Sequence, residues 1–138
     1  MTLAETIFVD AGAWFALADR RDANHSKAAG IYPILLSSSG RLITSNLVIA
    51  EAHVLTLQEL GHAAASAFLE RIRTSPRIAR VYSTEAVESE AQAMLAKYRD
   101  HDFSYTDAVS FTIMKRQKIR KAFAFDKHFR TAGFLTVP

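Results

Sequence analysis

Ile7, Phe8 and Val9 form an unbroken apolar run that ends on Asp10. A short continuous run of this kind predicts a buried strand over residues 6–9. The pattern then changes to helical spacing. Residues 12–18 read as a short helix and 25–36 as a second one, with a disturbance expected at Pro33. A serine stretch, Ser37, Ser38 and Ser39 before Gly40, reads as a loop. Residues 42–44 form a short strand. Over 46–60 the apolar residues return at helical intervals, with Leu47, Val54, Leu55 and Gln58 along one side and Gly61 as a stop. A further helix covers 63–73 and is closed by Pro76. Residues 78–82 alternate as a strand, and a hydroxyl cap opens a helix over 84–98. The rest reads as a helix over 106–117, a strand over 122–125, a helical turn over 127–131 and a last strand over 135–137.

Strands that alternate with helices of this length require crossovers, and so an α/β fold with a mostly parallel sheet. Four to five strands are expected, flanked by helices in three layers. Neither a repeat nor a linker divides the 138 residues, so one domain spanning 1–138 is expected. No stretch is long and apolar enough for a membrane helix. The first residues lack the basic-then-apolar order of a signal peptide. The chain has no cysteine, which excludes disulfides, zinc–thiolate sites and cysteine nucleophiles. A cytoplasmic protein with no membrane partner fits this composition.

Charge adds a second pattern. The net charge is +3, which permits a polyanionic partner without requiring one. Lys115, Arg116, Lys118, Arg120, Lys121, Lys127 and Arg130 crowd into the last quarter. Arg71, Arg73, Arg77 and Arg80 form another group. The simpler reading of either cluster alone is a solvated face.

Four acids break the hydrophobic pattern. Asp10 and Asp126 each follow a strand, which puts both at the carboxyl edge of a parallel sheet, where such sheets bind ligands. Glu51 projects from the apolar stripe of the 46–60 helix. Asp107 shares a helical face with Phe103, Phe111 and Met114. Each has a simpler reading. Asp10 and Asp126 could cap the helices that follow them. Asp107 stands three residues after Ser104, the spacing of a capping box. Glu51 could pair with an arginine. The conjunction is what points to chemistry, because four convergent carboxylates repel one another unless they take up protons or a cation. Asp19, Asp22, Glu70 and Glu88 sit among polar neighbours and read as solvated.

Hard oxygen ligands without cysteine or clustered histidine favour magnesium or manganese over zinc. One or two such ions, with positions left open for water and phosphate, suit phosphodiester hydrolysis.

At these residues the sequence resembles the PIN-domain ribonucleases and, in its small size, the VapC toxins of toxin–antitoxin pairs. The blocks IFVDAGAWFAL, TSNLVIAE, YTDAVSF and FAFDKHF carry the resemblance, in the family's order, over nearly the whole chain. It implies Mg²⁺- or Mn²⁺-dependent RNA cleavage, with Asp10, Glu51 and Asp107 as metal ligands. Asp126 would act through a second metal or through water. It also implies a homodimer and a VapB-like antitoxin partner that blocks the site. Thr106 would orient a ligand or touch phosphate, or else simply cap its helix. Ser45 and Asn46 carry the same ambiguity. Lys127 and Arg130 are the candidates for holding the scissile RNA strand, since RNA binding rests largely on phosphate contacts. His128 reads as a surface histidine rather than a general base. His25 and His53 read as structural or surface residues. Trp14, Phe15 and Phe111 read as core.

Other readings remain open. One is a PIN nuclease of RNA processing rather than a toxin. Another is a PIN-like module that binds RNA or protein without cutting. The presence of all four acids argues against the second. An aspartate-nucleophile phosphatase would want a second acid two residues after Asp10, where Gly12 stands.

Overall fold

The computed structural model describes residues 5–38 and 40–138. Five strands form one parallel sheet: β1 (Thr6–Val9), β2 (Arg41–Ser45), β3 (Ile78–Val81), β4 (Lys121–Phe123) and β5 (Leu135–Val137), in the order β3-β2-β1-β4-β5. The first strand is therefore central, pairing with β2 on one side and β4 on the other. That position explains its unbroken apolar run, because a central parallel strand is covered on both faces. Ile7, Phe8 and Val9 are all buried.

Among the described residues, seven helices flank the sheet: α1 (Ala11–Ala18), α2 (His25–Ser38), α3 (Asn46–Leu60), α4 (His62–Thr74), α5 (Glu85–Lys97), α6 (Tyr105–Arg116) and α7 (His128–Thr131). The expected α/β fold and all five strands are present. Several boundaries differ. Pro33 does not break α2, which runs on to Ser38. The helix forfeits one backbone bond there. Ser37 and Ser38 thus end a helix rather than begin a loop, while Ser39 lies outside the described residues. Strand β4 stops at Phe123, so Asp126 follows the strand at a distance rather than directly.

The expected apolar side of α3 is also different. Its buried residues are Val48, Ile49, Ala52 and Thr56, whereas Val54 and Leu57 are exposed. The helix is apolar on more than one side, so spacing alone does not select the packed face. The small residues on that face let α1 and α4 approach it. Gly61, at φ +89°, makes the sharp link from α3 to α4, a backbone conformation that favours glycine.

Buried polar groups tie the layers together. The Trp14 indole donates to Thr44 Oγ1 at 3.2 Å, and the Thr44 hydroxyl donates to the Val9 carbonyl at 3.1 Å. Around α6, the ring of Phe111 meets those of Phe103, Phe129 and Phe134. Trp14 and Phe111 are core as expected, and Phe15 is half-buried. Asp19 is not solvated: it is buried and accepts from the Arg21 backbone and guanidinium.

Candidate active site

Parallel pairing puts the ends of β1 and β4 and the starts of α3 and α6 at one edge of the sheet. Asp10 occupies the turn from β1 into α1. It stands at the N-cap position, yet its side chain makes no capping bond. The capping reading thus fails for this residue. Asp10 is 7% exposed. Burial raises its pKa to about 7, the Ala11 N–H partly offsets this, and the charges of Asp107, Glu51 and Asp126 add to the rise. All four acids therefore stand within electrostatic reach of one another.

Glu51 lies one turn into α3 and is exposed, so it rims the cleft rather than projecting from the buried stripe. Its pKa is raised by desolvation, lowered by a hydrogen bond from the Thr106 hydroxyl and raised again by Asp107 and Asp126. Thr106 thus touches a candidate ligand, not only the helix end.

Asp107 is buried. Its capping box with Ser104 is complete: Asp107 N donates to Ser104 Oγ at 3.0 Å, and Ser104 N donates to Asp107 Oδ2 at 3.1 Å. The cap and the cluster coexist in one residue. The same Oδ2 lies 2.9 Å from His128 Nδ1. A carboxylate only accepts, so Nδ1 carries the proton. His128 Nδ1 is also 3.3 Å from Asp126 Oδ1, and the ring stands edge-on to Phe103. Asp126 is exposed, and its Oδ1 accepts from the His128 backbone N at 2.8 Å.

His128 is the group that sequence reading set aside. Asp107, Asp126 and His128 each offer a ligand atom, all within 4.8 Å of one another. The Asp126–Lys127–His128 spacing was the available signal. What it lacked was Asp107, which only the packing of α7 against α6 brings near.

The remaining expected residues divide. Ser45 Oγ accepts from Val48 N at 3.2 Å and caps α3. Asn46 Oδ1 accepts from Ser83 N at 2.8 Å. Both side chains are engaged within the protein. Lys127 and Arg130 are exposed on the acid edge. Lys118, Arg120 and Lys121 precede or begin β4, so they lie at the opposite, amino edge. Arg116 pairs with Glu90. Most of the basic run is therefore remote from the acids. His25 is structural, its Nδ1 2.7 Å from the Ala16 carbonyl.

The donor set fits a hard divalent cation. It supplies carboxylate oxygens without sulfur, and it holds a buried carboxylate that no cationic side chain neutralises among the described residues.

Comparison with known proteins agrees with this architecture. The PIN domain model matches residues 7–135. The chain is 36% identical over 132 residues to the 23S rRNA-specific endonuclease VapC20 of Mycobacterium tuberculosis, covering 95% of this chain and 97% of that protein. It is 28% identical over 123 residues to a VapC ribonuclease of Archaeoglobus fulgidus, covering 88% and 77%. The crystal structure of the M. tuberculosis VapC20, a Sarcin-Ricin loop cleaving toxin, aligns with a TM-score of 0.86 at 34% identity, over 94% of this chain and 96% of that one. The VapBC2 structure of Rickettsia felis shares the fold, with a TM-score of 0.70 at 8% identity over 95% and 96%. With a matching model across nearly its whole length and a relative of this similarity, the chain belongs to the PIN-domain family.

Proposed function

We propose that this chain is a divalent-metal-dependent endoribonuclease and the toxin of a toxin–antitoxin pair, acting as a single nuclease domain over residues 1–138. One observation carries the reading: four carboxylates share the carboxyl edge of the sheet, and Asp10, buried like Asp107, has its pKa pushed up to about 7. Such a group calls for a cation. The similarity to named VapC ribonucleases supports RNA as the substrate and makes ribosomal RNA the first to test.

Asp10, Glu51 and Asp107 are assigned to hold one or two Mg²⁺ or Mn²⁺ ions, with Asp126 contributing directly or through water. When bound, the cation supplies Lewis-acid activation of water and offsets charge at the scissile phosphate. The chain's own residues set the geometry. Thr106 orients Glu51. Ser104 and His128 fix Asp107 through Oδ2. Ser45 and Asn46 anchor the start of α3 and so the position of Glu51. Lys127 and Arg130 hold RNA phosphates beside Asp126.

The test is cleavage of ribosomal and other structured RNAs with Mg²⁺ or Mn²⁺ and then with EDTA. Cleavage is expected only with metal, and Asp10→Asn and Asp107→Asn are each expected to lower it by about 100-fold or more, since a metal supplies several kcal/mol of transition-state stabilisation. RNA left intact with metal, or variants that cut like wild type, would sink the reading. A non-cleaving module would shift RNA mobility without cutting.

The toxin assignment extends to an antitoxin partner and a homodimer. The toxin part is supported by the likeness to the VapC20 toxin of M. tuberculosis. Expression of the chain alone is expected to arrest growth, and a small neighbouring gene product to relieve it. Unaffected growth at good expression would count against it.

A further inference from the structure

A second feature lies at the carboxyl ends of β4 and β5. A cavity of about 430 Å³ opens between the start of α2, α7 and the ends of β4 and β5. This is the size range of small-ligand sites. Lys27 and Asn24 line it from the α2 side, and Arg130 lines it from α7. Ala124 and Phe125, the two residues that lead from β4 to Asp126, line it as well. The floor segment of the cavity therefore runs directly into the carboxylate cluster.

The chemistry of the lining is one-sided. Its side chains comprise two cations and no carboxylate, with Thr136 and Pro138 completing the lining. Neither Lys27 nor Arg130 makes an ion pair among the described residues. In the same protein Arg21, Arg73, Arg116 and Lys121 are all paired with acids. Two cations without an ion pair on the lining of one cavity favour an anion there. The other lining groups do not suit a bare anion. Phe125 offers an aromatic ring, steadied edge-on by Phe123. Asn24 offers an amide. Cationic walls, an aromatic surface and a neutral amide are what one unpaired nucleotide needs. Its phosphate takes the cations, its base takes the ring, and its edge takes the amide.

We propose that this cavity is a nucleotide subsite, which takes the unpaired nucleotide next to the scissile phosphate, with the phosphate between Lys27 and Arg130 and the base against Phe125. The subsite rests on the RNA-cleaving reading above. It adds a second wall, from α2, to the strand-holding role of Arg130. Asp126, an exposed member of the cluster, follows directly on the cavity's lining residues Ala124 and Phe125.

The experiment separates binding from cleavage. A single-stranded fluorescein-labelled RNA is titrated with protein in EDTA, and anisotropy is followed across a salt series. The Lys27→Gln/Arg130→Gln double variant is expected to bind about tenfold more weakly, with the slope of log affinity against log salt reduced by about 1 to 2. Lys118→Gln/Arg120→Gln removes the same charge from the opposite edge and is expected to change affinity less than about twofold. A 2-aminopurine beside the cut site is expected to be quenched by wild type, and Phe125→Leu to restore most of its fluorescence. Circular dichroism checks that each variant folds. The subsite is overturned if the Lys27/Arg130 variant binds like wild type, or if both double variants weaken binding equally, which is bulk charge alone. If wild type cuts no RNA with metal, the nuclease reading falls by itself, and the binding comparison still decides the subsite.

Discussion

Asp10 concentrates the cost of building this site. Its folded pKa of about 7, against 3.8 for an ordinary aspartate, means that the folded state keeps a proton which the unfolded chain releases between about pH 4 and 7. The folded state then binds more protons, so stability must fall as pH rises through that window. A difference of about 3 units corresponds to roughly 4 kcal/mol, fully present above pH 7. In EDTA, urea unfolding is expected to show stability declining from pH 4 to 8, and Asp10→Asn to flatten the decline and be the more stable protein at pH 8. Mn²⁺ should stabilise wild type and not the variant. A wild type equally stable across the window would refute the assignment. His128 makes a separate prediction. Its Nδ1 holds the same Asp107 oxygen that Ser104 N holds, so it acts as a positioning residue. His128→Ala should weaken Mn²⁺ binding by calorimetry about 10- to 100-fold, the usual cost of losing such a support. His128→Asn, which keeps a donor near that position, should recover part of it.

At the scale of elements, the join between β1, β2 and α1 depends on one hydroxyl. Thr44 Oγ1 accepts from Trp14 and donates to the Val9 carbonyl, all in fully buried surroundings. Thr44→Val keeps the shape and strands both partners, so it should cost about 1–3 kcal/mol in thermal or urea unfolding. A neutral result would mean that the relay does not hold the layers. The order of elements was legible in the sequence because the apolar runs and caps alternate cleanly. What was not legible lay where two packings are equally apolar. The α3 helix has apolar residues on several sides, so spacing picks out the side of Leu47, Val54 and Leu55, while the buried residues are Val48, Ile49, Ala52 and Thr56. Asp10 looked like a cap because the turn residue is right for one, and only its actual rotamer shows that it does not cap. The four acids were legible as exceptions to pattern. His128 was not, since its partner Asp107 is distant in sequence and meets it only through the packing of α7 on α6. Asp19 was missed for the opposite reason: its partner, Arg21, made it look merely polar.

At the scale of the whole molecule, charge is sorted by the sheet's direction. Carboxylates gather at the carboxyl edge, and most of the basic run from Lys115 to Lys121 lies at the amino edge. Net charge therefore says little about where an anionic partner sits. The sheet order has a further effect. β1 leans on β2 and on β4, and the acids of the cluster come from both halves of the chain. A truncation ending at residue 120 lacks β4 and Asp126. It should expose one edge of β1, show a loosened fold by hydrogen exchange and fail to cut RNA; a folded, active fragment would contradict this. The same wiring bears on how the protein is made. During translation β1 emerges before both of its neighbours, yet the one that closes its second edge, β4, follows only after β2, β3 and the helices α1 to α6. A half-synthesised copy on a ribosome holds an unfinished sheet and an unfinished cluster. The proposed cleavage of RNA thus waits for β4 to emerge, because until then the strand at the centre of the sheet lacks its second neighbour.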